Sequence, residues 1–210
     1  MTRRPVRGFE QIPWLYDALL ALAECTGLKR WRRWLCDGAR GRVLDLGCGT
    51  GRNLPFLPRD TVGIDPAFDP LRRARRRAPA ARLVQARAEA LPFRERIFDT
   101  VVSGLVFCSV DEPGTGLGEV RRVLRAGGTL RMLEHVRSER RWRARVQDLV
   151  QPAWTRVAGG CRPNRDTERT VEAAGFAIDP VTRRARGTLR RFVARGRSAT
   201  HGVAGGGGAG

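Results

Sequence analysis

Val43-Leu44-Asp45-Leu46-Gly47-Cys48-Gly49-Thr50-Gly51 is a short apolar run that ends in an acid and passes straight into alternating glycines. Val43, Leu44 and Leu46 read as a buried parallel strand, apolar on both faces. Gly47, Gly49 and Gly51 let the backbone turn sharply and approach a ligand with no Cβ in the way. The stretch reads as a nucleotide cradle, with a helix expected to start near Gly51. It departs from the G-x-G-x-x-G fingerprint of pyrophosphate sites, because the third glycine comes one residue early. Asp45, just before the turn, would repel a pyrophosphate and suits a cationic or zwitterionic amino-acid group. The competing reading of the glycines is a plain structural turn.

Working outward, Thr61 to Asp65 reads as a second strand whose terminal acid lies about 20 residues beyond Asp45, the offset at which a carboxylate accepts from ribose hydroxyls. Asp65 could instead be a solvated strand end. Arg82 to Ala86 reads as a third strand, followed by Ala88-Glu89-Ala90-Leu91-Pro92-Phe93. Phe98 to Phe107 reads as a fourth, then Glu119 to Gly128 as a helix and glycine turn. Thr129 to Leu133 reads as a fifth, ending at Glu134-His135-Val136. Open α/β sheets bind ligands outside the carboxyl ends of their strands, and four such ends converge here.

The loop resembles motif I of the class I S-adenosylmethionine-dependent methyltransferases, and the downstream segments keep matching. The resemblance implies S-adenosylmethionine as cofactor, held by Asp45, Gly47, Cys48, Gly49 and Gly51, by Asp65 and Pro66, by Ala88 and Glu89 along the adenine, and by Val106 facing the methyl donor. Phe107 and Cys108 belong to the same strand end. Two positions depart from the family pattern. Arg87 stands where many members carry an Asp for the adenine amino group, which leaves that contact to Glu89 or to backbone. Ala126 stands where Pro is common. Glu134 and His135 are the candidate catalytic pair, facing the donor, with His135 preparing the acceptor. Glu134 could also orient His135 or serve an unrelated ion pair, and His135 could be a satisfied core histidine.

Composition sets further bounds. The chain has 210 residues, 41% hydrophobic, enough for one doubly wound domain. The expected architecture is α/β, a Rossmann-like, mainly parallel seven-stranded sheet, with Phe176 to Arg183 and Leu189 to Arg195 as the last two strands. Residues 1–38 would form an N-terminal helical extension or lid, 39–196 the methyltransferase domain, and 197–210 a disordered glycine-rich tail. No apolar run reaches membrane-spanning length and no signal sequence is evident, so a cytoplasmic protein is expected, with peripheral membrane contact as an addition. The five cysteines, Cys25, Cys36, Cys48, Cys108 and Cys161, show no CxxC pair and no grouping with His in the sequence, so no metal site is expected. His201, in the tail, is set aside.

The net charge is +19 from 40 basic residues, of which only Lys29 is lysine. Arginine with abundant Ala, Gly and Pro is what a GC-rich coding sequence produces, so Arg72-Arg73-Ala74-Arg75-Arg76-Arg77 reads as the solvated face of a helix. Nucleic-acid binding is expected to be non-specific and salt-sensitive. Tryptophans instead mark two basic, aromatic stretches, Trp14 to Cys36 and Arg140 to Val157, the second to be kinked or split at Pro152. Each is core packing, an acceptor-pocket wall or a membrane-facing surface. Gln151-Pro152-Ala153-Trp154, Gly160 to Thr167 and Gly175-Phe176 resemble the branch containing the membrane-associated thiol methyltransferases of animals, which implies a small, rather apolar acceptor. A thiol or a lipid headgroup comes first and a quinone-type ring next. The reading from another class is a non-catalytic, basic RNA- or membrane-binding protein on the same fold. An NAD-dependent dehydrogenase is disfavoured by the glycine spacing.

Overall fold

The computed structural model describes residues 27–157 and 160–197. The expectations placed on Trp14 to Cys25, on His201 and on the tail beyond Arg197 lie outside them.

The order of elements is α1 (Lys29–Asp37), β1 (Val43–Leu46), β2 (Val62–Asp65), α2 (Phe68–Arg77), β3 (Arg82–Gln85), β4 (Phe98–Gly104), α3 (Pro113–Val123), β5 (Leu124–His135), α4 (Arg141–Val157), α5 (Thr167–Ala173), β6 (Phe176–Ile178), β7 (Arg184–Arg186) and β8 (Leu189–Gly196). The strands run β3-β2-β1-β4-β5-β8-β6 across one sheet, with β7 paired to β8. β1 to β5 are parallel, whereas β8 is antiparallel to β5. All four residues of β1 are buried, as a central parallel strand requires.

Helices cover both faces. On one, Leu35 and Cys36 of α1 and Ala74 of α2 pack with Leu54, Val102 and Leu133. On the other, Leu117, Val120 and Val123 of α3 and Val171 of α5 close over Phe98, Phe107, Phe176 and Phe192. This is the doubly wound α/β architecture expected from the sequence.

Three local expectations differ. No α-helix follows Gly51. A 3₁₀ turn at Leu54–Phe56 takes its place, because Pro55 and Pro58 remove amide donors that a helix would use. The sixth strand is interrupted: β6 ends at Ile178, and Thr182 and Arg183 donate to the Asp179 carbonyl in a turn before β7 resumes along the same edge of β8. Pro180 cannot donate to a ladder. The sheet therefore has eight strands rather than seven. Finally, α4 continues through Pro152 to Val157 without a break in its assignment.

α1 is fastened to the sheet by arginines. Arg131 of β5 donates to the carbonyls of Leu35 (2.7 Å) and Trp34 (2.5 Å), satisfying the last turn of α1 with a cation where the helix dipole favours one. Arg131 and Arg191 also stack on Trp34 at 4.6 Å, and Arg191 on Trp31 at 5.2 Å. Trp31 and Trp34 thus serve packing. On α2, Arg72, Arg75, Arg76 and Arg77 are exposed, as a solvated face should be.

Candidate functional site

The crevice opens at the switch point beside β1, where the chain crosses from β1 out to β2 on one side and from β3 back to β4 on the other. The glycine loop crosses its floor. The Cys48 N–H donates to the Ile64 carbonyl at 2.7 Å and the Gly51 N–H to the Cys48 carbonyl at 2.8 Å, which ties the loop to β2 and closes it on itself. Gly47 sits at φ +61°, and a Cβ there would lie 2.6 Å from Cγ2 of Val106, so only glycine lets the β4 exit approach. At Gly49, φ +52°, a Cβ would meet nothing within 4 Å, which marks the side of the loop a ligand can reach. Cys48 is buried and its thiol is pushed well above the ordinary range by burial, which suits a filler.

The two acids differ in their bonding. Asp45 is fully buried and accepts from Asn53 Nδ2 at 2.9 Å through Oδ1, while its Oδ2 is buried with no partner. Burial lifts its pKa to about 7 against the hydrogen bond from Asn53. Asp65 accepts from the Gly49 N–H at 3.0 Å and the Ala67 N–H at 2.9 Å, bridging the loop to the end of β2. Pro66 follows, its carbonyl accepting from Gln85 Nε2 at 2.9 Å. An unpartnered carboxylate oxygen two residues before the glycine loop fits the amino group of S-adenosylmethionine, and a carboxylate at the next strand end, with one hydrogen bond to each oxygen, keeps acceptor capacity for its ribose.

Beyond β3, Ala88 is buried and Glu89 is tied down. Glu89 Oε1 accepts from the backbone N–H groups of Asp111 (3.2 Å) and Glu112 (3.4 Å) and pairs with Arg87, which also reaches Asp111 at 2.7 Å. Arg87 thus joins two loops in place of the family's adenine ligand.

The β4 exit turns sharply at Leu105, whose φ of 63° is rare for a branched residue and marks a backbone held in place by its surroundings. Glu134 does the holding. Its Oε1 accepts from Ser103 Oγ (3.0 Å), Val106 N–H (2.9 Å) and Phe107 N–H (3.1 Å), and burial lifts its pKa to about 7. One oxygen of this carboxylate shapes the β4 turn and presents Val106 to Gly47, while Oε2 is buried with no hydrogen-bond partner. None of its hydrogen bonds is to His135. Adjacent residues of a strand point to opposite faces.

His135 meets different company. Its ligand nitrogen and the sulfurs of Cys108 and Cys161 all lie within 4.8 Å of one another. This corrects the expectation that no cysteine groups with a histidine, since Cys108 follows β4, His135 ends β5 and Cys161 follows α4. A hydrogen bond from Cys108, with His135 and Trp154 adding to it, holds the Cys161 thiol well below the ordinary range. The same bond and burial push Cys108 up.

Sequence reasoning missed a buried chain at the cradle. Arg32 of α1 donates to Asn53 Oδ1 at 2.6 Å, and Asn53 passes the contact to Asp45. Arg77 likewise reaches back to the carbonyl and hydroxyl of Thr50 at 2.6 and 3.0 Å. Asn53, two residues past the last loop glycine, is a signal proximity could have raised; Arg32 and Arg77 carry none.

The strand order and the glycine cradle with its two acids have the form of the class I S-adenosylmethionine-dependent methyltransferase fold, and the methyltransferase domain family model matches residues 44–132. The chain is 38% identical over 152 residues to the human thiol S-methyltransferase TMT1B, covering 67% of this chain and 62% of that protein. It is 37% identical over 139 residues to the demethylmenaquinone methyltransferase of Thermus thermophilus, covering 60% and 63%. The matched region thus spans about three fifths of these relatives' length. Among solved structures, a Thermotoga maritima S-adenosylmethionine-dependent methyltransferase, titled a possible histamine N-methyltransferase, superposes with a TM-score of 0.71. Its sequence identity is 20%, with 89% of this chain and 97% of that one covered.

Proposed function

We propose that this protein transfers a methyl group from S-adenosylmethionine to the sulfur of a small, rather apolar thiol. The observation that carries the cofactor half is the orphaned Asp45 Oδ2 at the foot of the glycine loop, whose Gly49 faces open space, with Asp65 one strand away. Asp45 would hold the donor's ammonium, Asp65 its ribose hydroxyls, and Val106 would wall the methyl group. The cofactor supplies a methyl group on a positively charged sulfur, so the protein need only align acceptor and donor and exclude water. In the transfer one acceptor S–C bond forms and one sulfonium C–S bond breaks, its electron pair staying on the donor sulfur; the acceptor proton leaves before the attack. His135, at the carboxyl end of β5, is placed to prepare that acceptor. Methylation of alkyl and aryl thiols by the purified protein tests the reading, and exclusive turnover of a quinone-type acceptor would overturn it. The similarity to TMT1B supports sulfur.

The burial of Asp45 makes cofactor binding depend on pH. Its folded pKa is raised, so the neutral acid predominates below about 7 and the stabilisation of that form is lost as pH rises through 7. An ammonium ligand favours the carboxylate, so S-adenosylhomocysteine affinity should fall by up to about tenfold per pH unit between pH 7 and 5.5. Calorimetry across that range checks it, and Asp45→Asn should flatten the profile.

A surface feature supports peripheral membrane contact. α4 turns its polar side inward: Gln147 bonds to Ser138 N–H and to the carbonyls of Val136 and Pro163, and Asp148 pairs with Arg137. Trp142, Val146 and Leu149 face solvent, Leu149 at 82% exposure, flanked by arginines 141, 143 and 145. Apolar residues rimmed by cations suit the interface of an anionic bilayer. No described helix is long and apolar enough to cross one. Sedimentation with vesicles of phosphatidylcholine and phosphatidylglycerol should show binding that Leu149→Glu weakens about tenfold or more. Equal sedimentation of both proteins would refute the contact.

A further inference from the structure

We propose that Cys108, His135 and Cys161 form a three-ligand site for a thiophilic divalent cation, Zn²⁺ in the first instance, whose fourth position is left for a small thiol or water. The donor set is two sulfurs and one imidazole, the softness that favours zinc over magnesium or calcium. The geometry is close to what the ion needs. Zn–S bonds of about 2.3 Å and a Zn–N bond of about 2.0 Å place tetrahedral ligand atoms roughly 3.5 to 3.8 Å apart. Atoms already within 4.8 Å of one another need shift by about an ångström at most.

The three residues come from separate parts of the chain, yet backbone contacts pin them. The Arg162 N–H donates to the Cys108 carbonyl at 2.8 Å, locking the two cysteine loops together. Thr155 Oγ1 donates to the Cys161 carbonyl at 3.1 Å, and Arg165 Nη1 to the Phe107 carbonyl at 2.7 Å. The Arg137 N–H to Arg165 carbonyl bond, 2.9 Å, ties that loop to the segment just past His135. Both sulfurs are buried and free, and Nδ1 of His135 is buried with no hydrogen-bond partner. An imidazole within reach of two thiols, with one ring nitrogen unpartnered, is what a ligand set without its ion looks like.

Binding would pass the proton still on Cys108 to solvent, giving a neutral centre of one dication, two thiolates and a neutral imidazole. Three protein ligands and one exchangeable position are the pattern of catalytic rather than structural zinc, and a thiol taken up there would lose its proton as it binds. That occupant of the fourth position rests on the thiol reading above; the three-ligand site does not.

The test uses the full-length protein, purified under reducing conditions and titrated with Zn²⁺ against a chromophoric chelator, and separately with Co²⁺. One equivalent of zinc should bind, and cobalt should give thiolate-to-metal charge-transfer absorption in the wild-type protein. Cys108→Ser, Cys161→Ser and His135→Ala should each weaken zinc binding at least about tenfold while still binding S-adenosylhomocysteine, and Cys36→Ala should bind zinc as wild type. Zinc affinity unchanged in Cys161→Ser, cobalt spectra without thiolate bands, or a Cys108–Cys161 disulfide as the stable state under the same reducing conditions would each overturn the site. Zinc bound by the three residues without any thiol methylation would leave the site standing and refute the thiol acceptor instead.

Discussion

His135→Asn should lower turnover of a thiol acceptor by about 10²-fold or more while leaving S-adenosylhomocysteine affinity within about twofold of wild type. Both roles open to the imidazole, taking the acceptor proton itself or holding a cation that acidifies the thiol, are lost with an amide side chain of similar size. The cofactor should be indifferent, because the cradle is built from Asp45, Gly49 and Asp65, and His135 shares no hydrogen bond with any of them. Its pairing with Leu189 of β8 is a backbone contact that the substitution keeps, so folding should survive. Single-turnover and steady-state assays separate the outcomes: unchanged turnover would make His135 structural, and a matching loss of cofactor affinity would place it in the cradle.

Asp65→Ala should weaken S-adenosylhomocysteine by about 1.5 to 3 kcal/mol, roughly 10- to 150-fold, the range for hydrogen bonds to a charged group. The carboxylate here also accepts from the Gly49 and Ala67 amides, so removing it frees the loop as well as the ribose contact. Asp65→Asn separates the two effects, because an amide oxygen can keep one of the backbone bonds. Binding heats of the two variants against wild type decide it. Affinity equal to wild type in Asp65→Ala would remove Asp65 from the site.

Much of this was legible along the chain. The cradle, the acids ending β1 and β2 and the alternation of strands with helices are local patterns. Their residue types have few other uses: glycine where φ is positive, a carboxylate where a strand stops, apolar runs where both faces are buried. Other features were legible and misread. Pro55 and Pro58 stood in view yet the glycine loop was expected to open a helix, and Pro180 stood inside the presumed sixth strand. In both cases the missing amide donor outweighed the pattern around it. The two tryptophan stretches looked alike in composition. Packing alone parted them, by stacking Arg131 on Trp34 and Arg191 on Trp31 and Trp34 and leaving Trp142 outward.

What the sequence by itself determined is the fold class and the floor of the cofactor site, because these depend on periodicity and on backbone freedom within a few residues. Which backbone and side-chain groups each acid bonds to was decided only in three dimensions. Glu134 and His135 are neighbours in the chain, yet one bonds to Ser103 and the β4 turn while the other meets Cys108 and Cys161. The reason is geometric: a strand sends successive side chains to opposite faces, and parallel topology brings the ends of β4 and β5 and the loop after α4 to one place. No spacing in the sequence encodes that meeting, since the three ligand candidates lie at positions 108, 135 and 161, joined only through the sheet.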